Sequence, residues 1–144
     1  MEHQKKSKWG HAALVIMLAC LTSCHEYTPE KWPTDRIERI SGVRVPEYKV
    51  TKAIEGPTSF NGDYIDTLYI EFETMPSGEM FGQIDEMIEA GHPGWHKKGN
   101  QYSFTAIWGN GSPAPEGENE EDDRHFFLII TKGEKNGIIT CGWW

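Results

Sequence analysis

The spacing of apolar residues changes period along this chain, and that change limits the fold more than any other feature. Leu68, Ile70 and Phe72 fall on one side, with Thr67, Tyr69, Glu71 and Glu73 on the other. Period two marks a half-buried strand from Asp63 to Glu73. Met80, Phe81, Ile84, Met87 and Ile88 are then spaced for one helical face, while Glu79, Asp85, Glu86 and Glu89 lie mostly away from it. Ser77 can cap this helix, Glu79 complements its dipole, and Gly91 followed by Pro93 stops it. Period two returns at Gln101–Trp108. Phe126–Ile130 is apolar on both faces, as in a central strand, and Asn136-Gly137 is turn chemistry before a last strand to Trp144. A weaker strand, broken by Pro46, is expected over Val43–Ile54. The order is therefore β-β-α-β-β-β.

Short loops between the last strands favour antiparallel neighbours, so the expected fold is α+β: an antiparallel sheet of about five strands with one helix across one face. The alternative is a lipocalin-like barrel or small β-sandwich interrupted by the helix. One helix cannot cover both faces of such a sheet. Simple alternation puts Ile65, Tyr69, Thr105, Ile107, Ile129, Ile139, Cys141 and Trp143 on the second face. Cover by the 43–60 segment is expected there, ahead of presentation to a partner.

The first two dozen residues follow a different logic. Lys5, Lys6 and Lys8 precede an apolar run, Ala12–Leu21, of about half the ~20 residues a membrane span requires. A small residue, Ser23, stands before Cys24. Leu21-Thr22-Ser23-Cys24 resembles the lipobox of bacterial lipoproteins, here of the small envelope type found in Gram-negative bacteria. The resemblance implies a diacylglyceryl group on the Cys24 thiol, cleavage just before Cys24 and acylation, commonly with palmitate, of the new amino terminus. Two or more chains hold firmly, since each buried methylene contributes about 0.8 kcal/mol. His25 follows the cysteine, so the aspartate that commonly retains lipoproteins in the inner membrane is missing, which favours the outer membrane. The implied organisation is a signal peptide at 1–23, a tether at 24–41 and one globular domain at 42–144.

Loss of the leader lowers Lys+Arg from 14 to 11 and Asp+Glu from 22 to 21, a mature net charge of −10. A body this acidic repels phosphate backbones and makes nucleic acid an unsuitable partner. With Cys20 removed and Cys24 acylated, only Cys141 remains, and the fold must rest on its hydrophobic core without an internal disulfide. Cys141, in an apolar stretch, reads as a small buried hydrophobe.

Few side chains suggest chemistry. The tryptophans could stack sugars or fill the core. His92 and His96 have helical metal-pair spacing, but Pro93 and Gly94 between them break the helix, so no metal is expected. The acidic run Glu116–Asp123 lacks the alternation of a calcium loop and reads as a solvated, mobile loop. Glu71 and Glu73 could pair as carboxylates, yet an exposed polar face explains them. No nucleophile elbow, phosphate loop or zinc-protease motif is present, and no cofactor is implied. The sequence thus points to a non-enzymatic binding lipoprotein contacting a glycan or an envelope protein through Tyr69, Trp95, Trp108 and Trp143. The alternatives are an acidic immunity-type inhibitor of a basic toxin and an unrecognised hydrolase.

Overall fold

The computed structural model describes residues 27–143. Cys24, the leader and Trp144 lie outside them. The elements are α1 (Thr34–Ser41), β1 (Tyr48–Ile54), β2 (Tyr64–Phe72), α2 (Gly78–Glu89), β3 (Trp95–Lys98), β4 (Gln101–Trp108), β5 (Arg124–Thr131) and β6 (Asn136–Trp143). The strands form one open antiparallel sheet in the order β1-β2-β6-β5-β4-β3. The chain makes the β1–β2 hairpin, crosses to the far edge through α2, and meanders back until β6 pairs with β2. The fold is α+β, with six strands and two helices among the described residues. The edges formed by β1 and β3 do not pair, so the sheet is not a closed barrel, and no second sheet packs on it among the described residues.

One face of the sheet carries the core. Leu68, Ile139, Leu128 and Phe104 lie in register across four strands, flanked by Ile70, Phe72, Ile130, Tyr102 and Phe126. Helix α2 lays Met80, Phe81 and Ile84 on this face. Ser77 accepts the Met80 N–H at 3.1 Å, satisfying one of the orphan donors of the first turn. Asp85 takes Lys97 Nζ at 2.8 Å and the Tyr102 hydroxyl at 3.2 Å, tying the helix to β3 and β4.

Helix α2 is too narrow to roof the sheet, and residues 32–45 complete the layer. The segment expected to be a tether is therefore part of the folded body from at least Trp32 onward. Trp32, Ile37, Ile40, Val43 and Val45 are all buried in the core. Ile37 and Ile40 stand one turn apart on α1, so one stripe of a largely charged helix faces inward. Gly42 ends α1 with φ at 75°, donating its N–H to Glu38 O at 2.8 Å. The Val43–Val45 stretch is core-packed connection rather than strand, because Pro46 has no N–H for a ladder.

The faces of β6 also differ from simple alternation. Ile139 pairs with Leu68 and Cys141 with Asp66 and Phe126, which puts both on the helix side. Trp143, opposite Tyr64 and Arg124, ends the same row set. Cys141 is buried, and burial pushes its thiol up to about 11, where it is inert at neutral pH. Among the described residues, no helix is long and apolar enough to cross a membrane.

Because Ile37 is completely buried, Ile37→Ala should cost about 2–5 kcal/mol by urea unfolding. A loss near zero would mean that α1 is a loosely attached tether after all.

Candidate functional site

The second face of the sheet has no cover among the described residues. Segment 43–60 does not shield it: Val43 and Val45 turn into the core and 48–54 extends the sheet edge as β1. Three cross-strand rows make its centre. They are Ile65–Gly142–His125–Ile107, Thr67–Thr140–Phe127–Thr105 and Tyr69–Ile138–Ile129–Ser103. Ile65, Tyr69 and Ile107 are exposed at 40%, 37% and 53%, and the inner residues are half-buried by one another. Charge begins only at the rim, where Lys49 meets Glu71 at 3.4 Å and Lys52 lies over the Tyr69 ring at 5.6 Å. A bulge between Val50 and Lys52 sets Lys52, rather than Thr51, beside Tyr69. Tyr69, Ile129 and Ile138 share a depression of ≈ 410 Å³ with Thr51, Gln101 and Asn136.

A polar cluster closes one end of the opposite, helix-covered face. Arg124 is buried at the start of β5 with its guanidinium 4.0 Å over the Trp143 ring, and it is ion-paired to Glu30. Glu30 also takes Arg36 Nη1 at 2.9 Å. Arg36 grips Glu118 through two bonds, at 2.9 and 2.7 Å, while stacking 3.8 Å from the Trp32 ring. Nearby, buried Asp66 accepts both the Tyr27 hydroxyl and the Gly56 N–H, the latter at 2.9 Å. Burial, and then the bond to Asp66, hold the Tyr27 phenol far above its ordinary range. Tyr27, Glu30, Gly56, Tyr64, Asp66 and Arg124 line a cleft of ≈ 460 Å³ there. Each charge in this network already has an internal partner. It fastens the chain's entry to the sheet rather than presenting a reactive group.

The four aromatic residues expected to contact a ligand do not converge. Tyr69 is on the open face, Trp143 on the opposite side against Arg124, and Trp95 and Trp108 are 2% and 1% exposed. Trp95 spends its indole N–H on Ser41 O at 2.8 Å, a core role that joins β3 to the end of α1. Burial leaves Trp95 and Trp108 no ring face for a sugar. His92 lies in the turn before β3 and His96 on β3, with no group of three His, Cys, Asp or Glu placed to hold a metal among the described residues. The acidic loop is not wholly free, because Glu118 is locked by Arg36. Glu71 is engaged by Lys49.

Comparison of the chain with family models, with curated proteins and with solved structures finds no match. The surfaces themselves must carry the functional reading.

Two measurements test this geometry. Glu30→Gln leaves Arg124 buried beside a neutral amide and should cost on the order of 2 kcal/mol, the quarter-exposed carboxylate tempering the larger penalty of a fully buried pair. His125, half-buried on the open face, has its pKa lowered below 6.5 by burial, so the unfolded chain binds the proton more readily. Its contribution to stability is complete above about pH 6.5 and lost as pH falls through the lowered folded value. Denaturant curves from pH 7.5 to 5 should show this loss, and His125→Gln should remove that part of the slope.

Proposed function

We propose that this protein is a non-enzymatic interaction lipoprotein of the bacterial cell envelope, held at the outer membrane by acyl chains on Cys24, and that it docks a partner protein on the open face of its sheet. One observation carries the docking surface. The twelve central positions of that face contain no Asp, Glu, Lys or Arg, in a chain of which 25% is charged. A centre depleted of charge within a charged rim is the anatomy of protein–protein interfaces. With strands about 4.8 Å apart and about 3.3 Å per residue, four strands by five residues cover on the order of 300 Å². Seven of the twelve positions are apolar or Gly and the rest are Thr, Ser and His, so the area is uncharged throughout though not wholly apolar.

The breadth of the surface, spread over four strands, favours a protein over a glycan. Sugar binding draws on exposed aromatic faces grouped in one place, whereas here Tyr69 is exposed and Phe127 lies half-buried two strands away. The anchor follows from the lipobox resemblance and makes the partner a component of the envelope or of its surroundings.

Incorporation of a palmitate analogue into the native chain, and not into Cys24→Ala, is the expected result for the anchor. For the face, a benzophenone amino acid replacing Tyr69 should capture one discrete protein in cells. The same probe at exposed Glu86 on α2 should not, and Ile107→Asp should abolish the adduct. Equal capture from Tyr69 and Glu86, or none from Tyr69, would remove the docking assignment.

A further inference from the structure

We infer that the β1–β2 loop, residues 55–63 with Phe60 at its tip, contacts the lipid bilayer and seats the domain on it in one orientation. This rests on the anchor at Cys24 proposed above and adds to it a second, noncovalent membrane contact. The first argument is placement. The Tyr27 hydroxyl donates to Asp66 near the start of β2, and the same carboxylate accepts the Gly56 N–H of the loop at 2.9 Å. Chain entry and loop therefore meet on one side chain. Tyr27 stands three positions after Cys24, and at about 3.3–3.6 Å per step the two Cα atoms are at most about 11 Å apart. The headgroup region on each side of a bilayer is about 5–8 Å deep, so a body attached this closely stays at its surface or within a few ångströms of it.

The second argument is what the loop presents. Phe60 is 105% exposed, a ring with no neighbour to cover it. It is held out on an ordered turn: Ser59 N–H donates to Asp63 O at 2.8 Å, Gly62 N–H to Ser59 O at 3.0 Å, and Asp63 N–H to Ser59 Oγ at 3.0 Å. Beside it, Pro57, Tyr64, Ile65 and Trp143, with Asp63 as the one charged residue, line a largely apolar cleft of ≈ 330 Å³. Aromatic rings at a membrane-facing edge partition into the headgroup boundary. A mature charge of −10 denies the body any attraction to anionic headgroups, so apolar contact is the remaining mode. The acidic 109–123 loop leaves the same end of the sheet between β4 and β5. Its repulsion from anionic lipid tips the contact toward the β1–β2 corner.

The test uses the mature lipidated protein in vesicles of phosphatidylethanolamine and phosphatidylglycerol, with an environment-sensitive fluorophore on Asn61→Cys or, at the far end of the sheet, on Glu134→Cys. Buried Cys141 does not compete for the label. Expected are flotation of both proteins, a blue shift and brominated-lipid quenching at position 61 only, and loss of both signals in Asn61→Cys carrying Phe60→Asp, with flotation unchanged. If the protein floats but position 61 reports water, as position 134 does, the seating is wrong and the anchor stands. A position-61 signal that survives Phe60→Asp would overturn the role of Phe60. A protein that does not float overturns the anchor and the seating with it.

Discussion

A guanidinium buried at the end of a β-strand stays charged only if a carboxylate is brought to it, and in this fold the carboxylate comes from the far end of the chain. Arg124 and Glu30 are 94 positions apart in sequence. Their pairing draws residues 27–33 across the sheet end and delivers Trp32 onto Phe126, ring centroids 4.6 Å apart. Arg36 and Glu118 extend the same network to α1 and to the β4–β5 loop. Without that fastening α1 would lie loose, and the core face over β4 and β5 would be open to water. A two-turn helix is marginal alone, and here its stability comes from the packing of Ile37 and Ile40. The ion pairs position the helix and the apolar contacts hold it. A buried pair gains little over a hydrophobic substitute, so its value here is geometric: it decides which segment lies where.

The strongly periodic parts of this fold were legible in the sequence. Strand β4 spans the residues its alternation marks, and β2 and α2 follow Leu68–Phe72 and Met80–Ile88 closely. Helix α1 was not legible, because two isoleucines among charged neighbours are too few to show a period and Pro33 stands where a capping side chain usually signals a start. Four-residue β3 buries only Trp95 and is likewise too short to alternate visibly. Strand β6 was read with the wrong face inward. Ile138 and Ile139 are both apolar, so composition could not choose between parities, and the choice is made by register with Leu68 across the ladder. The clamp around Arg124 has no local signature, since its members come from four separated segments. The tryptophans misled for a related reason: a large ring reads alike whether it fills a core or faces a ligand.

The two faces of the sheet express different demands. On the helix side the rows close against side chains from α1, α2 or the entry segment, and the buried Arg124, Asp66 and Ser41 each find a partner there. On the other side the threonines and isoleucines shield each other only in part, a compromise that sheets with one solvated face commonly make. What distinguishes this face is that its charges stop at the rim, on the edge strands and toward the end of β2. Solvation alone would place Lys or Glu at positions such as Thr140 or Thr105, as it does at Lys49, Lys52 and Glu71. Retaining uncharged, β-branched residues across the centre keeps the face flat and easy to dehydrate, which a docking surface requires and a merely wet one does not.

The proposed anchor, the clamp and the open face are then linked through strand direction. Tyr27 enters at the end of the sheet where β2 begins and β6 finishes, so a bilayer contact there stands the strands up from the membrane instead of laying the sheet flat upon it. The open face in that arrangement looks sideways, along the membrane plane. Acyl chains alone would let the body swivel about a single-chain attachment and sample every orientation. The proposed second contact at Phe60 would remove much of that rotation before any partner arrives, and orientation fixed in advance need not be supplied at the moment of binding. A partner confined to the same membrane would meet the uncharged rows edge-on.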